Sequence, residues 1–357
     1  MSKLSRQSRF KTAARLTLAA ASTVFLVLPA GAAAINIPGA AANDIAISPA
    51  YPRGNEEVTA EVRNFFVDLK RSQVLWFLNN APLRQGVGLT RVSFPAGKVG
   101  ETTTVEAILR DPNGRVVELK KTFRPAEVDL LWEGISYTPP FYKGRALHSY
   151  GGTVRITALP NFVNDDKSKP AASRLLYSWK VDGKLARDAS GQGKNGFILN
   201  PAGPFQERLV EVIVTDPVSE VGAESAIVLT ASEPSLIAYE NHRVYGTLFN
   251  KALTGTVNLN GDEIIIKVAP FFFSVNGGLF PSYKWILNNR ETDEIEDEVT
   301  FRRENKEMTG SASIKARATL INEKLFQTAG TFFLVNLQPA GGSGDGGFPT
   351  AGKPASR

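Results

Sequence analysis

Three stretches of the chain decide its fold: Val74-Leu75-Trp76-Phe77-Leu78-Asn79-Asn80, Leu176-Tyr177-Ser178-Trp179-Lys180-Val181-Asp182-Gly183 and Ser282-Tyr283-Lys284-Trp285-Ile286-Leu287-Asn288-Asn289. Each places a Trp in an alternating run and ends in a turn pair, the pattern of a strand entering a tight turn. The Trp residues stand 103 and 106 residues apart. That period is the length of one small sandwich domain, so the chain reads as three tandem copies.

The flanks keep the same register. Pro49-Ala50-Tyr51-Pro52-Arg53-Gly54 and Pro139-Pro140-Phe141-Tyr142-Lys143-Gly144 precede alternating strands at residues 57–62 and 153–158. After the Trp strand come Gly86-Val87-Gly88 and Gly191-Gln192-Gly193, then Phe94 and Phe197. These two-glycine matches between strands read as hairpin or bulge geometry rather than a phosphate loop. Long alternating runs at residues 102–109, 208–214 and 311–318 are strands with one face inward. Asp111-Pro112-Asn113-Gly114 and Asp216-Pro217-Val218-Ser219 are turns, in which Pro sets φ and Asp accepts a local backbone bond. The chain returns at residues 116–123 and 225–229; the third copy turns at Asn322-Glu323 and returns through Gly330 to Leu337. About seven short strands around one Trp predict an all-β chain of three immunoglobulin-like sandwiches. Cysteine is absent, so packing around Trp76, Trp179 and Trp285 must replace the usual inter-sheet disulfide.

Composition agrees with that reading. The 357 residues include 31 Gly and 21 Pro, which favours turns and short strands over long helices. With 43% hydrophobic residues the chain is neither disordered nor fibrous. Zero Cys removes thiol nucleophiles, iron–sulfur clusters, thiolate zinc sites and lipoprotein anchoring together.

The formal charge is +6, but Lys3, Arg6, Arg9, Lys11 and Arg15 all lie in the first 34 residues, where no acid occurs. They form a basic stretch ahead of the apolar run at residues 16–28, which Pro29 and an A-x-A-like site at Ala30-Gly31-Ala32-Ala33-Ala34 close. Residues 1–34 are therefore predicted to be a signal peptide, its 13-residue apolar core being shorter than a spanning helix. The alternative is a retained membrane anchor, since no charge occurs between Arg15 and Asp44. Without that segment the chain has 36 basic against 35 acidic residues, so its pI does not argue for nucleic acid. The predicted location is exported: extracellular, cell-surface or periplasmic.

Chemistry-bearing constellations are few. His148 and His242 stand alone, outside H-E-x-x-H, and neither G-x-S-x-G nor a Walker A motif is present. Glu291, Asp293, Glu294, Glu296, Asp297 and Glu298 form one dense acid cluster, a weak calcium candidate without EF-hand spacing. Its simpler reading is a solvated loop balanced by Arg302, Arg303 and Lys306. The segment Asn164-Asp165-Asp166-Lys167-Ser168-Lys169 reads as an exposed loop. In Phe271-Phe272-Phe273, adjacent strand residues face opposite sides, so at least one Phe leaves its own core, to pack on the second domain or a partner or to lie in a wide bulge; interdomain packing is the first expectation.

The repeat resembles bacterial Ig-like and PKD-like domains over residues 44–338, whose repeats carry a Trp strand, an Asn-Gly or Asp-Gly type turn, a Gly-containing segment and a long strand ending at an Asp turn. Leu236-Ile237-Ala238-Tyr239-Glu240, Tyr245-Gly246-Thr247-Leu248-Phe249-Asn250-Lys251-Ala252-Leu253 and Ala269-Pro270-Phe271-Phe272-Phe273-Ser274 are similar to a segment of secreted proteins encoded beside type IV pilus genes. The first resemblance implies spacer, adhesin or sugar-binding accessory modules; the second implies an envelope role linked to pili. Neither transfers a catalytic residue.

The expected organisation is thus a signal peptide or anchor at 1–34, Ig-like domains at 44–125, 126–233 and 234–338, and a disordered Gly-rich tail at 339–357. Hinges are expected near residues 126 and 234. The tail's Phe348-Pro349-Thr350-Ala351-Gly352 lacks the residues of a sortase signal. The function predicted is non-enzymatic and cofactor-free: a structural, adhesive or pilus-associated protein with a protein partner at the cell envelope. The alternative is a carbohydrate-binding accessory, for which Tyr137, Phe141, Tyr142 and Tyr150 would form one exposed platform. A hydrolase would instead need a cleft bearing two carboxylates.

Overall fold

Turn chemistry shapes each Trp hairpin. In this computed structural model, which describes residues 43–338 apart from 141, 201–206, 260, 276, 277, 279, 306, 323 and 324, Asn79, Asp182 and Asn288 have φ of 48°, 51° and 48°. Asn80, Gly183 and Asn289 follow at 66°, 74° and 64°. Two successive left-handed residues give the tight turn whose twist matches paired strands. The first of each pair also ties down the long inner strand: its N–H donates to the carbonyl of Thr104, Leu209 or Ser313. Its Oδ1 accepts the N–H of that same residue. An Asn or Asp here satisfies a strand that is not its hairpin partner, which recurs in all three copies.

These hairpins build two-sheet sandwiches. In the first, Asn43–Ser48, Glu57–Asn64 and Arg91–Pro95 form one sheet and Ala81–Val87, Gln73–Leu78, Thr103–Arg110 and Val116–Phe123 the other. The second pairs Gly196–Leu199, Val154–Asn161 and Glu127–Gly134 against a sheet centred on Leu176–Val181, Arg208–Thr215 and Gly222–Leu229. The third is larger. Gly246–Ala252, Ser235–His242, Glu263–Phe271 and Glu298–Arg302 face a sheet of Gly255–Leu259, Leu325–Leu337, Gly310–Asn322, Ser282–Leu287 and Arg290–Glu291. The chain is therefore all-β, a tandem of sandwiches.

In the third copy the chain returns as Leu325–Leu337, through Gly330, which lies mid-strand opposite Arg317. Gly255–Leu259 runs parallel to that strand, the other strand pairs being antiparallel. The 13-residue strands Gly310–Asn322 and Leu325–Leu337 pair along their whole length.

Alternation places one face of every inner strand in a core. Three separate clusters result, drawn from residues 45–119, 126–229 and 236–337. Trp76, Trp179 and Trp285 are almost fully buried in them, at 1%, 0% and 1% exposure. Each indole Nε1 donates to a backbone carbonyl beyond its hairpin: Leu89 at 2.8 Å, Lys194 at 2.9 Å and Glu296 at 2.9 Å. The ring thus fills the core while its N–H pins a crossing loop. Gly88 and Gly193 occupy one position in two copies, with φ of 69° and 71°. Their N–H groups bond Ser72 and Leu175, and a Cβ would stand 3.1 Å from a backbone carbonyl, so both backbone angle and space require Gly.

No helix among the described residues is long and apolar enough to cross a membrane. The predicted signal peptide and tail, together with Phe141, Lys306 and Glu323, lie outside the described residues.

Candidate functional site

The Phe271-Phe272-Phe273 segment stands where two sandwiches meet. Phe273 is fully buried in the third core, whereas Phe271, buried to 9% exposure, belongs to a separate cluster with Tyr239 and Ala269 on the outer face of its sheet. Phe272 lies between them with φ of 62°, which breaks the strand and turns its peptide groups sideways. The loop of the second sandwich then adds to it as a short ladder. Tyr137 N–H donates to the Phe273 carbonyl and Phe272 N–H donates to the Tyr137 carbonyl, both at 2.7 Å. Ser136 and Ser274 form an antiparallel bridge beside it. Tyr142 meets Phe271 and Phe272 edge-on, at ring centroid separations of 5.9 Å and 5.8 Å.

Gln327 closes this joint from the other side. It is fully buried on Leu325–Leu337, at the inward parity shared by Phe333, Val335 and Leu337. Its Oε1 accepts the Ser274 N–H at 2.8 Å. Its Nε2 donates to Ser149 Oγ at 2.6 Å and to the Tyr150 carbonyl at 2.9 Å. Ser149 Oγ in turn donates to the Phe272 carbonyl at 2.6 Å. Both amide hydrogens and the carbonyl oxygen are engaged, and every partner is a group whose burial would otherwise be costly. Sequence reasoning missed Gln327 and Ser149. The available signal was a polar residue at an inward position of an alternating strand.

His148 precedes Ser149 and sits under the same joint. Its ring meets Trp132 edge-on at 5.6 Å, Arg145 covers the Trp132 face at 3.7 Å, and its carbonyl accepts the Ser232 N–H. The side chain is 8% exposed and its Nδ1 has no hydrogen-bond partner. Burial therefore pushes its pKa below the ordinary 6.5. Because the folded value lies below the unfolded one, stability is full above about pH 6.5 and falls as the unfolded chain takes up the proton the folded chain refuses. Thermal melts between neutral pH and about pH 5 should show this loss, and the His148→Leu chain should show less of it. Equal acid sensitivity in both chains would refute the assignment. His242 has a different role: Nδ1 accepts the N–H groups of Val244 and Tyr245 in a turn, and the ring stacks on Tyr245 at 4.8 Å.

The first and second sandwiches also share a joint. Arg124 pairs with Asp165, so the polar segment 164–169 makes an interdomain contact rather than remaining wholly solvated. Gly100 N–H donates to the Pro125 carbonyl, and Ala126 N–H reaches the Pro52 carbonyl at 3.4 Å. The Tyr51 ring lies against Gly222 so closely that a Cβ there would stand 2.2 Å from it. Burial, then the carboxylates of Glu56 and Glu211, hold Glu224 above the usual carboxylate range, with Lys180 and Arg53 opposing.

The acid cluster disperses. Glu291 pairs with Lys284, Asp297 with Lys267, and Glu298 accepts from Asn241. Among the described residues no three His, Asp or Glu side chains gather into a group that could hold a metal ion. The expected balancing cations are engaged elsewhere. Arg302 pairs with Glu263, and Arg303, 6% exposed, donates to the carbonyls of Gln338 and Leu259. The strand ends at Arg302, whose side chain reaches the neighbouring strand, while Arg303, the next residue, turns inward.

The aromatic platform required for sugar binding is likewise redistributed. Tyr137 and Tyr150 are half-buried and their backbones belong to the joint, while Tyr142 packs on Phe271 and Phe272.

No protein-family profile and no curated protein sequence matches the chain. Among solved structures it is similar to three N-terminal domains of the highly immunogenic outer capsid protein of bacteriophage RB49, at 13% identity and a TM-score of 0.25, covering 83% of this chain and 99% of that one. Fibronectin(III)-like modules of Clostridium thermocellum CbhA match at 12% identity and 0.27, over 53% and 94% of the two chains. The Bacteroides ovatus glucan-utilization protein SGBP-B, solved with a mixed-linkage heptasaccharide, matches at 10% identity and 0.19, over 83% and 70%.

Proposed function

We propose that this chain is a non-enzymatic, exported protein of the cell envelope, which works as a structural or adhesive spacer holding binding surfaces in fixed relation. The observation that carries the reading is the joint built on Gln327, Ser149, Tyr137 and Phe272, where a hydrogen-bonded buried amide and a backbone ladder lock two sandwiches together. A freely swivelling linker would need none of these bonds. Two perturbed titratable groups support the same reading, since His148 and Glu224 lie at the joints. Modules of this kind recognise partners through loops and open strand edges, and Gly246–Ala252 is such an edge.

The similarity of residues 236–274 to secreted proteins encoded beside type IV pilus genes makes a pilus-type machine the first partner to test. Cross-linking on intact cells followed by capture of the full chain should return pilus components. Recovery of glycan alone would replace this reading with a carbohydrate-binding accessory, and chain confined to the cytoplasm would overturn export.

A further inference from the structure

The end of the first sandwich remote from its joint carries an unusual surface. Residues 65–72 connect Glu57–Asn64 to Gln73–Leu78, and there Phe65 and Phe66 are 83% and 62% exposed. The loop is held in shape by its own bonds. Asn64 Oδ1 accepts the N–H groups of Phe66 and Val67 at 2.7 Å and 3.2 Å, and Arg115 Nη1 donates to the Phe66 carbonyl at 3.0 Å. Two phenyl rings are thus presented outward by a fixed backbone, which is a cost that a soluble surface avoids. Val116 and Val87, exposed to 52% and 70%, extend the patch along the same end of the adjoining sheet, where Gln73 pairs with both Arg110 and Val87.

Basic side chains surround it. Arg63, Lys70, Arg71, Arg91, Arg110 and Arg115 are all exposed at this end. Four acids stand against them, and all four are engaged: Asp111 and Asp68 accept backbone N–H groups of their own turns, Glu61 pairs with Arg91, and Asp44 pairs with Lys121 at 3.8 Å. Asn43, the first described residue, pairs with Asn64 and so lies directly beside the two Phe. In a chain that keeps its N-terminal segment, the apolar run at 16–28 ends 15 residues before Asn43, a reach of about 50 Å at most.

We propose that this end of the first sandwich docks on an anionic lipid bilayer, Phe65 and Phe66 entering the interface and the basic ring meeting the headgroups. An exposed apolar wedge bordered by Lys and Arg is the chemistry of an interfacial anchor. Each basic residue near an anionic surface strengthens binding about fivefold, an effect that salt screens. The inference goes beyond the spacer reading and does not depend on which partner the modules hold.

The native chain has no cysteine, so a single one reports locally. The full chain carrying Val116→Cys labelled with an environment-sensitive dye, and a control carrying Val218→Cys in a distant turn, are mixed with phosphatidylglycerol or phosphatidylcholine vesicles. The label at 116 should shift to the blue and be quenched by brominated lipid with phosphatidylglycerol only, while the label at 218 stays aqueous. F65S/F66S in the same background should reduce the bound fraction at this label about tenfold or more without changing the circular dichroism spectrum. A vesicle-bound chain whose label at 116 stays aqueous is held by its N-terminal segment alone and overturns the proposal. So does a blue shift given by an envelope protein fraction but by neither vesicle, which would make the patch a protein contact.

Discussion

Trp179→Ala lowers the stability of the second sandwich by about 3–5 kcal/mol. The ring is fully buried, contacts Phe197 edge-on at 5.0 Å, and its Nε1 holds the Lys194 carbonyl. Truncation opens a large cavity and releases the crossing loop together, with no disulfide to keep the two sheets apposed. Trp179→Phe separates the two effects, since it keeps most of the volume and loses only the indole N–H, at about 1–2 kcal/mol. Urea unfolding of the full chain followed by circular dichroism measures both, as a shift of one transition. A loss under about 1 kcal/mol for Trp179→Ala would remove the ring from its central place in the core. The equivalent burial of Trp76 and Trp285 predicts losses of the same size in the outer sandwiches.

Gln327→Ala uncouples the second and third sandwiches. It deletes the acceptor for Ser274 N–H and the donors to Ser149 and Tyr150 in a dry site, so the expected loss is about 2–4 kcal/mol. Unlike the Trp substitutions, it should broaden the small-angle scattering envelope and separate the unfolding transitions of the two sandwiches. Gln327→Leu, which restores volume but no hydrogen bonds, should uncouple them as well. If both variants leave scattering and melting unchanged, the joint does not set the relation between the modules.

The Trp hairpins were legible because everything that forms them is local. Alternation, a turn pair with left-handed angles and a Gly between strands act within about 20 residues, and the same devices recur three times. Phe271 and Phe273, two residues apart, would share a face in a continuous strand; they take opposite sides because the strand ends at Phe271 and Phe272 adopts a φ of 62°. Gln327 was not legible, because its partners Ser149 and Tyr150 lie 178 and 177 residues away. The cations assigned to the acid cluster failed for a related reason: nearness in sequence does not say which face of a strand a side chain takes. Arg303 went inward, and the acids found Lys284, Lys267 and Asn241 on paired strands.

By itself the sequence determined that this chain forms tandem Trp-centred sandwiches, since period-two burial and turn stereochemistry are properties of short segments. Only the tertiary structure decided how Phe271-Phe272-Phe273 is used, where the acid cluster goes and that Phe65 and Phe66 stand exposed beside Asn43. These depend on which edges and loops meet after the sheets have closed. Such meetings are selected by shape and by the cost of unpaired buried groups, and neither is written in any one stretch of residues.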